Sequence, residues 1–81
     1  MACKIWTIEV DGNRHNVGLE HGFWSGKRVI TLDGATIERS CKLIDTGSEH
    51  RFDVDGQRCI LKIRSYAFHF DYELYVDGKL V

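Results

Sequence analysis

The dipeptide Asp-Gly recurs at a fixed interval, at Asp11-Gly12, Asp33-Gly34, Asp55-Gly56 and Asp77-Gly78, so that 33 − 11, 55 − 33 and 77 − 55 are each 22. Few short sequences constrain a backbone as tightly. A two-residue type I′ hairpin turn needs positive φ at both central positions, which Asp tolerates and Gly adopts without strain. Four such turns predict one hairpin per interval, each with two strands of roughly 6–9 residues. The chain therefore reads as four serial hairpins and seven or eight antiparallel strands, the last strand a stub ending at Val81.

The turn also sets the register, because the residue before Asp pairs with the residue after Gly and pairs then step outward. In the first hairpin this puts Trp6, Ile8, Val17 and Leu19 on one face and Glu9, Asn16, Gly18 and Glu20 on the other. In the third, Phe52, Val54, Cys59, Leu61 and Ile63 fall together, opposite Arg51, Asp53, Arg58, Lys62 and Arg64. From Phe68 to Val76 the alternation continues, with Phe68, Phe70, Tyr72, Leu74 and Val76 against His69, Asp71, Glu73 and Tyr75. Sheets with one apolar face bury it against a second layer, so the expected fold is an all-β antiparallel β-sandwich forming a single domain over residues 1–81. The links expected between hairpins are His21 to Gly26, Asp45 to Ser48, and a turn near Ser65 to Ala67.

Composition narrows the function classes. With 43% hydrophobic and 28% charged residues, the chain is ordinary for a globular domain. A net charge of −1 supplies no field for a polyanion, which argues against nucleic acid. No apolar run approaches the roughly 18 residues of a membrane span, and the first residues lack a secretory signal pattern, so a cytoplasmic, non-membrane protein is expected, with a monomer favoured. Cys3, Cys41 and Cys59 are an odd set without Cys-x-x-Cys spacing and are expected as reduced thiols, Cys41 and Cys59 toward the core and Cys3 near the exposed start.

The candidate chemistry fails on inspection. Gly22-Phe23-Trp24-Ser25-Gly26-Lys27 has three residues between its glycines and Arg28 after Lys27, and a strand follows, so it is not a phosphate loop. Asp53-x-Asp55-Gly56 lacks the glycine and glutamate of a calcium loop, with Arg58 and Arg64 at those places. His15, His21, His50 and His69 are scattered over strands and a loop, and His15 and His50 read as packed core histidines. Cys59 with His50 could form a nucleophile pair, yet Cys59 lies on an apolar face and reads as inert packing. No catalytic, metal or cofactor site is expected.

Two local conflicts remain. The second hairpin's register sets Arg28 opposite Arg39, a destabilising like-charge pair, so an acid is expected nearby, either Glu38, Asp45 or Glu49 of the chain itself or one from a partner, with Lys27 adjoining. Phe23 and Trp24 are large aromatics in a loop bounded by glycines, and they read either as a lid over one open end of the sandwich or as an exposed anchor. Phe23, Trp24, Lys27, Arg28 and Arg39 are thus the candidate partner-binding residues.

The stretch His21-Gly22-x-x-Ser25-Gly26-Lys27-Arg28-Val29-x-x-x-Asp33-Gly34 resembles the Fas apoptotic inhibitory molecule (FAIM) family. Trp6 and Glu20 before it, and Gly47-x-Glu49-x-x-Phe52 and Cys59-x-x-Lys62 after it, extend the resemblance over nearly the whole chain. The first half is more similar to the amino-terminal domain of the animal proteins, and Asp45 to Lys62 to their carboxy-terminal domain. The resemblance implies an antiparallel β-sandwich and a non-enzymatic cytosolic protein, here a single-domain member or an excised domain. Animal members restrain death-receptor apoptosis, affect signalling and neurite outgrowth, and are linked to protection against protein aggregation. Two functions follow as expectations: a protein-interaction module regulating apoptosis or signalling, with docking on a sheet edge one route, or a chaperone-like module that shields aggregation-prone chains.

Overall fold

A computed structural model describes residues 2–42 and 46–81. Eight strands form in chain order: β1 (Ala2–Val10), β2 (Asn13–His21), β3 (Lys27–Leu32), β4 (Ala35–Cys41), β5 (Ser48–Val54), β6 (Gln57–Ser65), β7 (Phe70–Val76) and β8 (Lys79–Leu80). They make two four-stranded antiparallel sheets, ordered β1-β2-β3-β4 and β5-β6-β7-β8, with no helix among the described residues. The all-β class and the serial hairpins are as expected. The chain divides into two compact units, Met1–Asp45 and Thr46–Val81, each holding one sheet.

All four Asp-Gly pairs occupy the turn positions assigned to them. Asp11, Asp33, Asp55 and Asp77 have φ of 50, 50, 48 and 50°, and their glycines 80, 85, 81 and 78°, the paired positive values that define a type I′ turn. Register follows from the turns. In the first unit Val10 pairs with Asn13, Ile8 with His15 and Trp6 with Val17, and the face carrying Trp6, Ile8, Val10, Val17, Leu19 and Ile30 is buried. Lys4 Nζ lies over the Trp6 ring, 5.2 Å from its centre. In the second unit Phe52 pairs with Cys59 and His50 with Leu61, burying Val54, Cys59, Leu61, Ile63 and Leu74.

The second hairpin departs from the expected register. Thr31 pairs with Thr36, but Ile30 pairs with Glu38, so Ile37 is an extra residue that bulges out of β4 and is 43% exposed. From there to the end of β4 every partner moves by one. Arg28 lies opposite Ser40 and Arg39 opposite Val29, which removes the like-charge pair. The same slip turns Cys41 outward, where it is exposed rather than in the core. Glu38 and Ser40 take the half-buried positions of β4 on the side of Ile30 and Arg28. Of the other acids expected near the arginines, Glu49 pairs within its own unit with Arg51 at 3.4 Å and Lys62 at 3.6 Å. Asp45, with the start of the link assigned to it, lies outside the described residues.

The fourth hairpin also starts later than the alternation suggested. β7 begins at Phe70, and Phe68 is 99% exposed in the preceding loop rather than on the apolar face. On the outward face of the second sheet, Arg64 Nε donates to Glu73 Oε1 at 2.7 Å, Tyr75 donates to the same oxygen at 3.3 Å, and Lys62 sits 5.0 Å from the Tyr75 ring centre. The Arg64 contact holds the Glu73 carboxyl below its ordinary range and raises the guanidinium, but such exposed pairs add little to stability.

Candidate interaction loop

Loop 22–26 joins β2 to β3 and is closed by its own backbone. Gly22 N donates to Lys27 O and Gly26 N to Gly22 O, both at 2.9 Å. Lys42 N donates to Gly26 O at 2.9 Å, and Arg28 donates from its guanidinium to the same oxygen at 2.8 Å. Ser25 adds two contacts: its hydroxyl accepts from Lys27 N at 3.3 Å and its carbonyl from Cys41 Sγ at 3.1 Å. Gly26 has φ of +69°, and a Cβ there would collide with the Lys42 carbonyl oxygen, so only glycine fits.

On this fixed base stand the two aromatics. Trp24 is 100% exposed, which removes the lid reading for it: a lid buries its ring. Phe23 is half exposed and meets the buried His21 edge-to-face, ring centres 5.5 Å apart at 80°. His21 is the last residue of β2 rather than a loop residue, and it supports the Phe23 ring from beneath.

The five sequence candidates divide. Phe23, Trp24 and Lys27 come together on the loop and its exit, with Lys27 half-buried. Arg39 is exposed on β4, and because Lys27 pairs with Cys41 and Val29 with Arg39, the two cations are diagonal neighbours on the outward face. Arg28 is not part of that surface. It is 1% exposed and points inward, pinning the Gly26 carbonyl, because the bulge gives it a partner strand face with Ser40 and Glu38 rather than Arg39. Sequence reasoning missed Phe68 and the exposure of Cys41. The interval that places the turns marks Phe68, which stands 44 residues after Trp24.

The other histidines and the buried thiol make local contacts. His50 is 8% exposed with Nε2 at 2.8 Å from Ser48 Oγ, and burial pushes the Cys59 thiol up, with Asp53 adding to the shift, so Cys59 stays protonated. His15 Nδ1 lies 2.7 Å from Asp33 Oδ2, and Asn16 N donates to Asp33 Oδ1 at 2.8 Å, clamping the second turn onto β2. No group of three metal-ligating side chains gathers among the described residues, and no helix there is long and apolar enough to cross a membrane.

The fold and loop define a class: a small all-β protein of serial Asp-Gly hairpins that presents an anchored aromatic loop. The sequence profile of Fas apoptotic inhibitory molecule (FAIM1) matches residues 2–81, and the chain belongs to that family. It is 28% identical over 78 residues to Fas apoptotic inhibitory molecule 1 of Bos taurus, which takes in 93% of this chain and 39% of the relative. For the Mus musculus protein of the same name the figures are 30%, 93% and 44%, and for the Homo sapiens protein 28%, 93% and 44%. The chain thus spans less than half the length of these relatives.

Proposed function

We propose that this chain is a non-enzymatic protein-interaction module of the cytoplasm that acts in apoptosis-related regulation, as its relatives' name suggests, and that it grips its partner through Trp24. The observation that carries this reading is a fully exposed tryptophan on a loop fixed by at least six hydrogen bonds to or within its base. Tryptophan left in water forgoes a large burial gain, and a rigid loop loses little further entropy when the ring docks. Lys27 and Arg39 on the adjoining face add a cationic rim that suits a partner with acidic residues around an apolar pocket.

The test compares Trp24→Ala with the parent in two measurements. The melting temperature is expected to stay the same, because the ring touches nothing that folding needs, while capture of a stoichiometric partner from cell lysate falls at least tenfold, the scale of an interface hot spot. An unchanged capture, or a lowered melt, overturns the anchor. Suppression of aggregation across unrelated client proteins, with no stoichiometric partner, would instead favour the chaperone-like reading.

A further inference from the structure

Among the described residues β1 pairs with β2 alone, so it forms one edge of the first sheet. The Asn16 carbonyl, opposite Thr7, accepts from Asp33 N on the far side of β2 at 2.8 Å, so the Thr7–Asn16 pair exchanges no backbone bond. Alternation along β1 then turns the N–H and C=O groups of Cys3, Ile5 and Thr7 away from β2 and out of the sheet edge. Such edges are usually blunted. β4, the other edge of this sheet, is interrupted by the bulge at Ile37, and β5 sets the charges of Glu49, Arg51 and Asp53 along its exposed face. From Cys3 to Thr7, β1 keeps a regular register and an uncharged outward face, and its one charge there, on Lys4, is folded over the Trp6 ring on the opposite face. At the centre stands Ile5, 70% exposed. Its neighbour across the pairing is Gly18, where a Cβ would collide with Thr31 Oγ1. No side chain in β2 can therefore pack on Ile5, and the one direct cross-strand neighbour left to it comes from beyond the edge.

We propose that β1 is a self-association edge: a second copy of the chain adds its own β1 antiparallel about a two-fold axis at Ile5, joining two four-stranded sheets into one. The side chains of β1 are complementary to themselves in this register. Two strands that keep their buried faces on the same side pair residues of equal parity, so the axis falls on a residue. An axis at Lys4 sets two ammonium groups against each other, and axes at Trp6 or Thr7 set Cys3 or Ile5 against the Glu9 carboxylate. An axis at Ile5 avoids both. It gives each Ile5 the other as its missing neighbour and pairs Cys3 with Thr7, so that the outward backbone groups of all three residues are matched. It also sets Lys4 of each copy opposite Trp6 of the other, so each ammonium meets a second indole besides its own. A strand of unrelated sequence has to supply these matches separately, whereas the symmetry axis supplies each of them twice.

The experiment is sedimentation equilibrium of the full chain under reducing conditions, over rising concentration, where the parent is expected to follow a monomer–dimer equilibrium. Trp24→Ala is expected to dimerise like the parent, which keeps this test apart from that of the anchor. Ile5→Lys and Ile5→Glu each set like charges on the axis and are expected to weaken the dimer about tenfold or more, with an unchanged melt at low concentration because Ile5 is exposed. Mixed in equal amounts, the two variants set Lys against Glu and are expected to dimerise with each other at near parental strength, a recovery that misfolded chains do not show. Should either charged chain melt below the parent, Ile5→Ser takes their place and is expected to weaken the dimer several-fold. A parent that stays monomeric at every soluble concentration overturns the proposal. So does a dimer that survives the Ile5 variants, or a mixture that recovers nothing. Loss of the dimer with Trp24→Ala assigns the contact to the loop and likewise overturns the β1 edge.

Discussion

Gly26 and Gly34 both have positive φ, and replacing each by alanine separates backbone strain from close approach. At Gly34, φ is +85° and nothing lies within 4 Å of where a Cβ would stand, so Gly34→Ala costs only the left-handed penalty, about 1–2 kcal/mol. At Gly26 the same penalty applies at φ +69°, and the added methyl also drives into the Lys42 carbonyl oxygen. That oxygen belongs to the backbone and moves only with its peptide. Such movement strains the bond from Lys42 N to Gly26 O, worth about 0.5–1.5 kcal/mol, and the buried bond from Arg28 to the same oxygen, worth about 1.5–3 kcal/mol as a charged donor. Gly26→Ala is therefore expected to lose about 3–6 kcal/mol, which consumes much of the margin of an 81-residue chain. Urea unfolding at constant m-value reads both costs from the midpoints. If Gly26→Ala loses no more than Gly34→Ala, the approach of Lys42 to Gly26 is not what closes the loop, and the account of a rigid platform for Trp24 fails with it.

Three further outcomes are expected. Trp6→Ala empties a buried site and should cost about 3–5 kcal/mol by the same urea measurement, against no loss for Trp24→Ala. Under native conditions a thiol reagent should consume Cys3 and Cys41 rapidly and Cys59 only on opening, because Cys59 is fully buried with its thiol pushed up; three equal rates would contradict the burial of Cys59, and a Cys41 as slow as Cys59 would contradict the bulged register. The His15 contact, then the Asn16 amide, hold the Asp33 carboxyl below its ordinary value of 3.8. Its clamp therefore stabilises the folded chain above that value and is lost as pH falls through the lower folded one. Asp33→Asn keeps a residue suited to the turn, so the parent's advantage over it, measured by urea midpoints, should shrink on going from about pH 6 to about pH 3; a gap that widens on acidification refutes the clamp.

How far the site could be read from sequence depended on which force set each residue. Phe23 and Trp24 were legible because two glycines confine them to a loop, and Lys27 because it directly follows the second of those glycines. Arg28 was misplaced because its burial depends on the partner strand, and Phe68 because a period of two continues on paper past the point where pairing stops.

The sequence by itself determined the four turns, and through them the strand pairing of the first and third hairpins and the face on which Trp6, Val17, Leu61 and Ile63 lie. Type I′ geometry is a local property of Asp-Gly, and a turn of fixed length leaves only one register. Tertiary structure decided the second hairpin. There the uniform register would have set Arg28 against Arg39, and one extra residue at Ile37 replaced that repulsion with Ser40, turned Arg39 and Cys41 outward and buried Arg28 beneath the loop. A bulge depends on the energies of side chains across two strands, which no turn dipeptide encodes; only the folded sheet brings those groups together to be weighed.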